Sequence, residues 1–149
     1  MSLQTDSIFV KALRAESSLI VQLPAGDVFN TAIALPDDQA ENVKPPYIIV
    51  SFDGLDNESS TKDSSFNGIT DIVTIGIEVV AETRPQLASL AITVRRAIAR
   101  YFQEHCTPEA EDYALVPYSY DFQAQPVQYD SMKPCYWQKL IYRCETDID

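Results

Sequence analysis

Ile72-Val73-Thr74-Ile75-Gly76-Ile77-Glu78-Val79-Val80-Ala81, followed at once by Glu82-Thr83-Arg84-Pro85, carries most of the information in this chain. The first ten residues have the β-branched richness of a strand. Val73, Ile75, Ile77, Val79 and Ala81 fall on one face, and Thr74, Gly76 and Glu78 on the other. That alternation belongs to a sheet with one buried face. Beyond the turn, Leu87, Leu90, Ala91, Val94, Ala97, Ile98 and Tyr101 recur at helical spacing. Thr83 is placed to cap this helix and Pro85 to sit in its first turn. One strand therefore feeds one long helix, from about Pro85 to Phe102, and ending near Gln103-Glu104-His105.

Working outward, residues 6 to 16 read as a short helix. Thr5 or Asp6 can cap it, and Phe9, Ala12, Leu13 and Glu16 fall on adjoining positions of one face, with Ile8 and Ala12 widening the apolar side. Val28 to Leu35 is a strand candidate. Pro45-Pro46 excludes helix and leads into a strong strand, Tyr47-Ile48-Ile49-Val50-Ser51-Phe52, stopped by Asp53-Gly54. Leu55 to Gly68 reads as an exposed polar loop. Tyr118 to Gln128 looks extended, Tyr129 to Pro134 a turn, and Cys135 to Cys144 a closing strand. On that strand Tyr136, Leu140, Tyr142 and Cys144 share one face, with Trp137 and Ile141 on the other. Glu145 to Asp149 is expected to fray. Strands that follow one another without helices imply hairpins. The expected fold is α+β: an antiparallel sheet with a short N-terminal helix and one long helix packed on one face. Residues 1 to 149 are expected to form a single domain.

Bulk properties narrow the function classes. The net charge of −11 disfavours a binder of nucleic-acid phosphates and docking on anionic membranes. The N-terminus lacks the basic region and apolar run of a signal peptide, and no apolar run approaches the ~20 residues needed to span a bilayer. An odd count of three widely spaced cysteines, Cys106, Cys135 and Cys144, is not a disulfide framework. A protein made and assembled in a cytoplasm, with reduced thiols, is the expectation.

Chemistry-bearing motifs are sparse. His105-Cys106 is the one place where two good metal-ligand types meet, and zinc needs three or four ligands. The expectation is a helix-end His beside a small buried or half-buried Cys, with no metal on His105, Cys106, Cys135 or Cys144. Gly26, Gly54, Gly68 and Gly76 stand alone, so no phosphate-cradling loop exists. No catalytic residues and no cofactor are expected. Glu109, Glu111 and Asp112 read as solvated surface. Tyr113, Tyr118, Tyr120, Phe122, Tyr129, Tyr136, Trp137 and Tyr142 could line a ligand cleft, but core and hairpin faces are the expectation.

Charge is segregated along the chain. Asp53, Asp56, Glu58 and Asp63 fall within one acidic stretch, whereas Arg84, Arg95, Arg96 and Arg100 lie on the long helix with no acid between them. A solvated helix face would explain the arginines. The alternative is a subunit or partner interface in which guanidinium groups meet carboxylates, a pairing for which arginine is suited.

The order and spacing of these elements resemble the tail-completion, or tail-terminator, family of long-tailed bacteriophages and prophages. The resemblance rests on Ile8-Phe9-Val10-Lys11-Ala12-Leu13, on Pro46-Tyr47-Ile48-Ile49-Val50, on the polar loop before the strand Ile72 to Ala81, on Leu87-Ala88-x-Leu90-Ala91-x-x-Val94-Arg95-x-Ala97-Ile98, and on the closing strand pair. It covers nearly the whole chain, although the Tyr-rich C-terminal hairpin is heavier than the family's. The resemblance implies a structural, non-enzymatic virion protein. It would form a homo-oligomeric ring, commonly a hexamer, at the head-proximal end of the tail, assembled in a bacterial host cytoplasm. Its partners would be copies of itself, the tail tube and head-connector proteins, with no nucleic acid and no membrane. Without the resemblance, the residues also allow a non-catalytic small-ligand or partner-binding α+β module of a bacterial cell, with the aromatic hairpin as its site.

Overall fold

In the computed structural model, residues 2–23, 28–30, 44–57 and 70–147 are described. They form three α-helices, α1 (Thr5–Ala15), α2 (Ser17–Ile20) and α3 (Arg84–His105), and six strands, β1 (Val28–Asn30), β2 (Tyr47–Asp56), β3 (Thr70–Ala81), β4 (Ser119–Ala124), β5 (Gln128–Asp130) and β6 (Cys135–Asp147). The strands lie in the order β1-β2-β3-β6-β4, and β5 also pairs with β6. The β2–β3, β3–β6, β4–β6 and β5–β6 pairs are antiparallel. The α+β architecture therefore matches the expectation from the sequence. One pair departs from it. β1 runs parallel to β2, with Val28 opposite Ile48. Parallel neighbours need a connection of about a dozen residues or more, and the chain between Asn30 and Tyr47 is long enough to supply one.

β3 is the strand on which the layers are built. Val73, Ile75, Ile77, Val79 and Ala81 are all fully buried on its inner side. Opposite them on β2 stand Val50 (facing Ile77) and Ile48 (facing Val79), and on β6 Leu140 (facing Ile77), Tyr142 (facing Ile75) and Cys144 (facing Val73). α3 covers this side with Leu87, Leu90, Val94, Ala97, Ile98, Tyr101 and Phe102. The cap lies where the sequence places it: the Thr83 hydroxyl accepts from the Gln86 backbone N–H at 3.3 Å. Gln86 in turn reaches back to accept from the Glu82 N–H at 3.0 Å. α1 adds Ile8, Phe9, Ala12 and Leu13 to the same core. Thr5 does not cap α1; its hydroxyl donates to the Ser2 carbonyl at 2.7 Å.

Aromatic rings weld the helical layer to the C-terminal strands. Phe9 of α1 meets Phe102 of α3 and Tyr142 of β6, each at 5.1 Å between centroids. Phe122 and Tyr120 of β4 pack on Tyr142 from the other side, at 5.1 and 5.3 Å. Tilted and edge-on pairs of this kind add about 0.5–1.5 kcal/mol each beyond their burial. The Tyr142 hydroxyl is buried with no hydrogen-bond partner among the described residues.

Two glycines act for opposite reasons. Asp53-Gly54 does not end β2. The pairing slips between Phe52, opposite Ile75, and Gly54, opposite Thr74, so the strand carries a β-bulge and continues to Asp56. Gly54 has φ of +153°, a value L side chains rarely adopt, although a Cβ there would meet nothing. Gly76 is limited by space. A Cβ there would stand 2.3 Å from Asp53 Oδ2 and 2.5 Å from Lys139 Cε.

The loop expected from Leu55 consequently starts later, and most of it, including Glu58 and Asp63, lies outside the described residues, as does Thr31 to Leu35 of the first strand candidate. Nor do residues 145 to 147 fray. They pair with Ile72, Asp71 and Thr70, and Ser119 stands opposite Glu145. The Ser2 hydroxyl is 2.7 Å from Thr146 Oγ1 and also donates to the Asp147 carbonyl. Register and this tie hold a segment in which Glu145 and Asp147 are poor strand formers on their own.

Leu90→Ala should lower the unfolding free energy by about 2–5 kcal/mol with an unchanged denaturant slope, since the side chain is fully buried between helix and sheet. Tyr142→Phe should leave stability unchanged or raise it, because no protein hydrogen bond is lost and a buried hydroxyl no longer has to be desolvated. Urea melts of both variants beside the parent chain check the pair.

Candidate functional site

Two charged surfaces and a cluster around the buried Asp112 carry most of the polar chemistry of this fold; Asp6 and Asp71 are the other buried carboxylates among the described residues. The first surface is the outer side of α3. Arg84 is the first residue of the helix and exposed, as are Arg95, Arg96 and Arg100. Among the described residues, two of the four make an ion pair or a ring contact. Arg100 pairs with Glu16, just past the end of α1, at 3.2 Å. The Arg95 guanidinium lies 4.4 Å from the centre of the Phe122 ring, a cation–π contact that anchors it to β4. Arg84 and Arg96 have no carboxylate partner among the described residues. Ile92, 51% exposed, sits in the middle of this side.

The second surface is the sheet face that α3 does not cover. Trp137, Lys139, Ile141, Arg143 and Glu145 of β6 point to it, opposite Val80, Glu78, Gly76, Thr74 and Ile72 of β3. Here Asp53 at the bulge takes Lys139 at 2.9 Å and accepts from the Ser51 hydroxyl at 2.8 Å. The space above Gly76 makes this crossing possible. Glu78 lies in the same cluster. Burial pushes its carboxyl above the usual range and Asp53 adds to this, against the opposing charge of Lys139. Asp56 stands at the end of β2, exposed and opposite Ile72. Asp53 and Asp56 thus join the open sheet face, whereas the arginines lie on the opposite, helical side. The structure does not bring the two sets together within one chain.

At the buried Asp112, the expectation of a solvated acidic run fails. Its side chain is only 4% exposed. The Tyr101 hydroxyl donates to Oδ2 at 2.5 Å, His105 Nδ1 is 2.6 Å from Oδ1, and Lys11 Nζ lies 3.6 Å from Oδ2. Tyr101 and His105, one helical turn apart on α3, stack at 3.8 Å. Burial alone would raise the Asp112 pKa, but the hydrogen bonds from Tyr101 and His105 and the charge of His105 outweigh it and hold the carboxyl below its ordinary value. Tyr101 is pushed the other way, by burial first and then by its bond to Asp112. The arrangement pins the segment after α3 to both helices. A signal existed in the sequence: Tyr and His at i and i+4 at a helix end, with carboxylates one short loop later.

The cysteines do not converge. Cys135 and Cys144 are nine residues apart on β6, about 30 Å at strand spacing, and face opposite sides. Burial pushes the Cys144 thiol up to about 12. Cys106 is exposed rather than buried, its thiol directed at the Gln103 carbonyl 3.2 Å away. Among the described residues no group of three or more His, Cys, Asp or Glu side chains is placed to hold a metal ion. No described helix is long and apolar enough to cross a membrane. The aromatics divide between roles: Tyr120, Phe122 and Tyr142 pack in or against the core, while Tyr113, Tyr118 and Tyr129 are exposed. Tyr113 and Tyr118 border a cavity of about 250 Å³ with Cys106 and Asp147, below the usual range of small-molecule sites, about 300–1,000 Å³.

No family model matches this sequence, and no curated protein matches it either. Its structure is similar to that of a chain from the virion of a native gene transfer agent particle, with a TM-score of 0.55 and 15% sequence identity, over 96% of this chain and 94% of that one. At such identity the likeness is one of fold, and it extends end to end.

Asp112→Asn should lower stability at neutral pH by about 1.5–3 kcal/mol, the range for a hydrogen bond to a charged group. Because the folded pKa is depressed, the contribution is present above the unfolded value of about 3.9 and is lost as pH falls through the folded value. The gap between parent and variant should therefore shrink below about pH 4, as read from urea melts at a series of pH values.

Proposed function

We propose that this chain is a structural, non-enzymatic component of a phage-like particle, and that within it the chain acts as a tail-completion or tail-terminator protein. Copies would form a ring, of which a hexamer is one form, at the head-proximal end of the tail tube, in contact with tube and head-connector proteins. The observation that carries this is the fold likeness, over 96% of this chain, to a chain of a gene transfer agent virion. It agrees with the resemblance in element order and motif spacing to the tail-terminator family. A domain whose polar residues form two extended charged surfaces suits assembly, where many shallow contacts act together.

The acidic excess suits it too. A net charge of −11 keeps an unassembled subunit soluble and off nucleic acid. Asp53, Asp56, Glu58, Asp63, Arg84, Arg95, Arg96 and Arg100 are proposed as the charged residues used toward other subunits or toward tail partners. Assembly would take place in a bacterial host cytoplasm and end in the virion tail.

Deleting the gene from the producing strain, followed by electron microscopy and mass spectrometry of purified particles, tests the assignment. The protein should be present in parental particles. The deletion should yield heads and tails that are not joined, with complementation restoring whole particles. Whole, infective particles from the deletion strain, with the protein missing from parental particles, would exclude it.

A further inference from the structure

α3 and α1 cover one side of the sheet, so the molecule has a helical side and an open sheet side that face away from each other. Each side carries an isoleucine between charges. On the helical side Ile92 is 51% exposed, and with Arg95, Arg96 and Ala99 it lines a shallow depression of about 410 Å³. On the sheet side, Ile72 stands in register between Asp56 of β2 and Glu145 of β6. Directly opposed residues on neighbouring strands have their Cβ atoms about 4.5–5.5 Å apart, so these three side chains form one row. Asp56 and Glu145 are exposed and have no cationic partner among the described residues; Arg95 and Arg96 have no carboxylate partner there either.

We infer that the open sheet face of one copy docks on the outer side of α3 of a second copy, with the row Asp56–Ile72–Glu145 set against Ile92, Arg95 and Arg96. An apolar centre with a charged rim is the usual anatomy of such a contact. Arg95 is prepared for it. Its guanidinium is held 4.4 Å over Phe122, which fixes its position without using the fork that pairs with carboxylates. Around Glu145 the sheet face stays acidic, since Asp121 and Glu145 flank the single Arg143 on neighbouring positions. The Asp53, Glu78 and Lys139 cluster lies further along the same face, two carboxyl groups around one ammonium. A nucleic-acid phosphate as the arginines' partner is disfavoured by the chain's charge of −11.

Each copy carries one surface of each kind on opposite sides. The contact is therefore heterologous, and it generates a ring if the rotation between copies closes and a filament if it does not. Closure rests on the ring proposed above; the pairwise contact does not.

Two double variants test it on the purified chain. Arg95→Glu with Arg96→Glu makes both surfaces acidic. Asp56→Lys with Glu145→Lys makes both basic. Sedimentation velocity at low salt, up to about 1 mM, the weak end of specific association, should show the parent chain associating and each variant alone staying monomeric. Mixing the two variants one to one should restore association, because each repairs the other's faulty surface. Raising salt to about 1 M, where the Debye length is about 3 Å, should weaken the parent's association. Circular dichroism checks that the variants are folded. Should either fail to fold, Ile92→Glu, at a half-exposed position, takes its place, and loss of association is expected. A parent chain that stays monomeric at every concentration, variants that associate like the parent, or a mixture that stays monomeric would overturn the contact. Particle composition is read separately, on particles, so either proposal can fail without the other.

Discussion

The antiparallel pairing of β3 with β6 is the constraint on which the rest depends. Twelve consecutive registered positions, from Thr70 opposite Asp147 to Ala81 opposite Tyr136, fix which side of each strand faces the helices. A slip of one residue would turn the inner set of one strand outward, either Ile75 and Ile77 of β3 or Leu140 and Tyr142 of β6, and leave the other set without its partners. The register is also what places Lys139 beside the bulge on β2, where Asp53 waits, and Glu145 beside Ile72. Core, cross-sheet ion pair and acidic row are three results of one alignment.

Legibility in the sequence followed periodicity. β3 and α3 could be read because each buries one clean face, and the apolar stripe from Leu87 to Tyr101 differs from the observed one mainly by Phe102. The two faces of β6 were legible for the same reason. Where the outcome depended on residues distant in the chain, local rules misled. Asp53-Gly54 carries the composition of a turn, yet the positive φ it needs is used for a bulge within a continuing strand. Glu145 and Asp147 lack strand propensity, but Glu145 has strand neighbours on both sides, and Thr146 and Asp147 are held by β3 and by Ser2. The direction of β1 could not be read, since a short apolar run does not say which way its partner points.

The polar residues divided in a comparable way. Segregation of acids and arginines along the chain was visible, and the fold converts it into segregation between opposite sides of a two-layer molecule. What the sequence concealed was which charges are already used. Arg100 is tied to Glu16 and Asp53 to Lys139, whereas Arg96 and Asp56 are not paired within the described residues. Asp112 was half concealed: Tyr101 and His105 at a helix end point to a carboxylate in the loop that follows, but nothing in the acidic run distinguishes Asp112 from Glu109 and Glu111 as the residue that turns inward.

The β3–β6 ladder also has a kinetic meaning. Its partners, such as Ile77 and Leu140, are separated by the whole of α3 and the β4–β5 segment. Loop-closure entropy must be overcome before such a contact contributes. α3 can form early from local contacts, while the central ladder closes late. Until it does, β3 presents a long apolar edge to other chains. A protein built this way folds fastest where its own C-terminal strand reaches β3 before a neighbour's does, so dilution and slow synthesis favour the monomeric fold from which any ordered assembly must start.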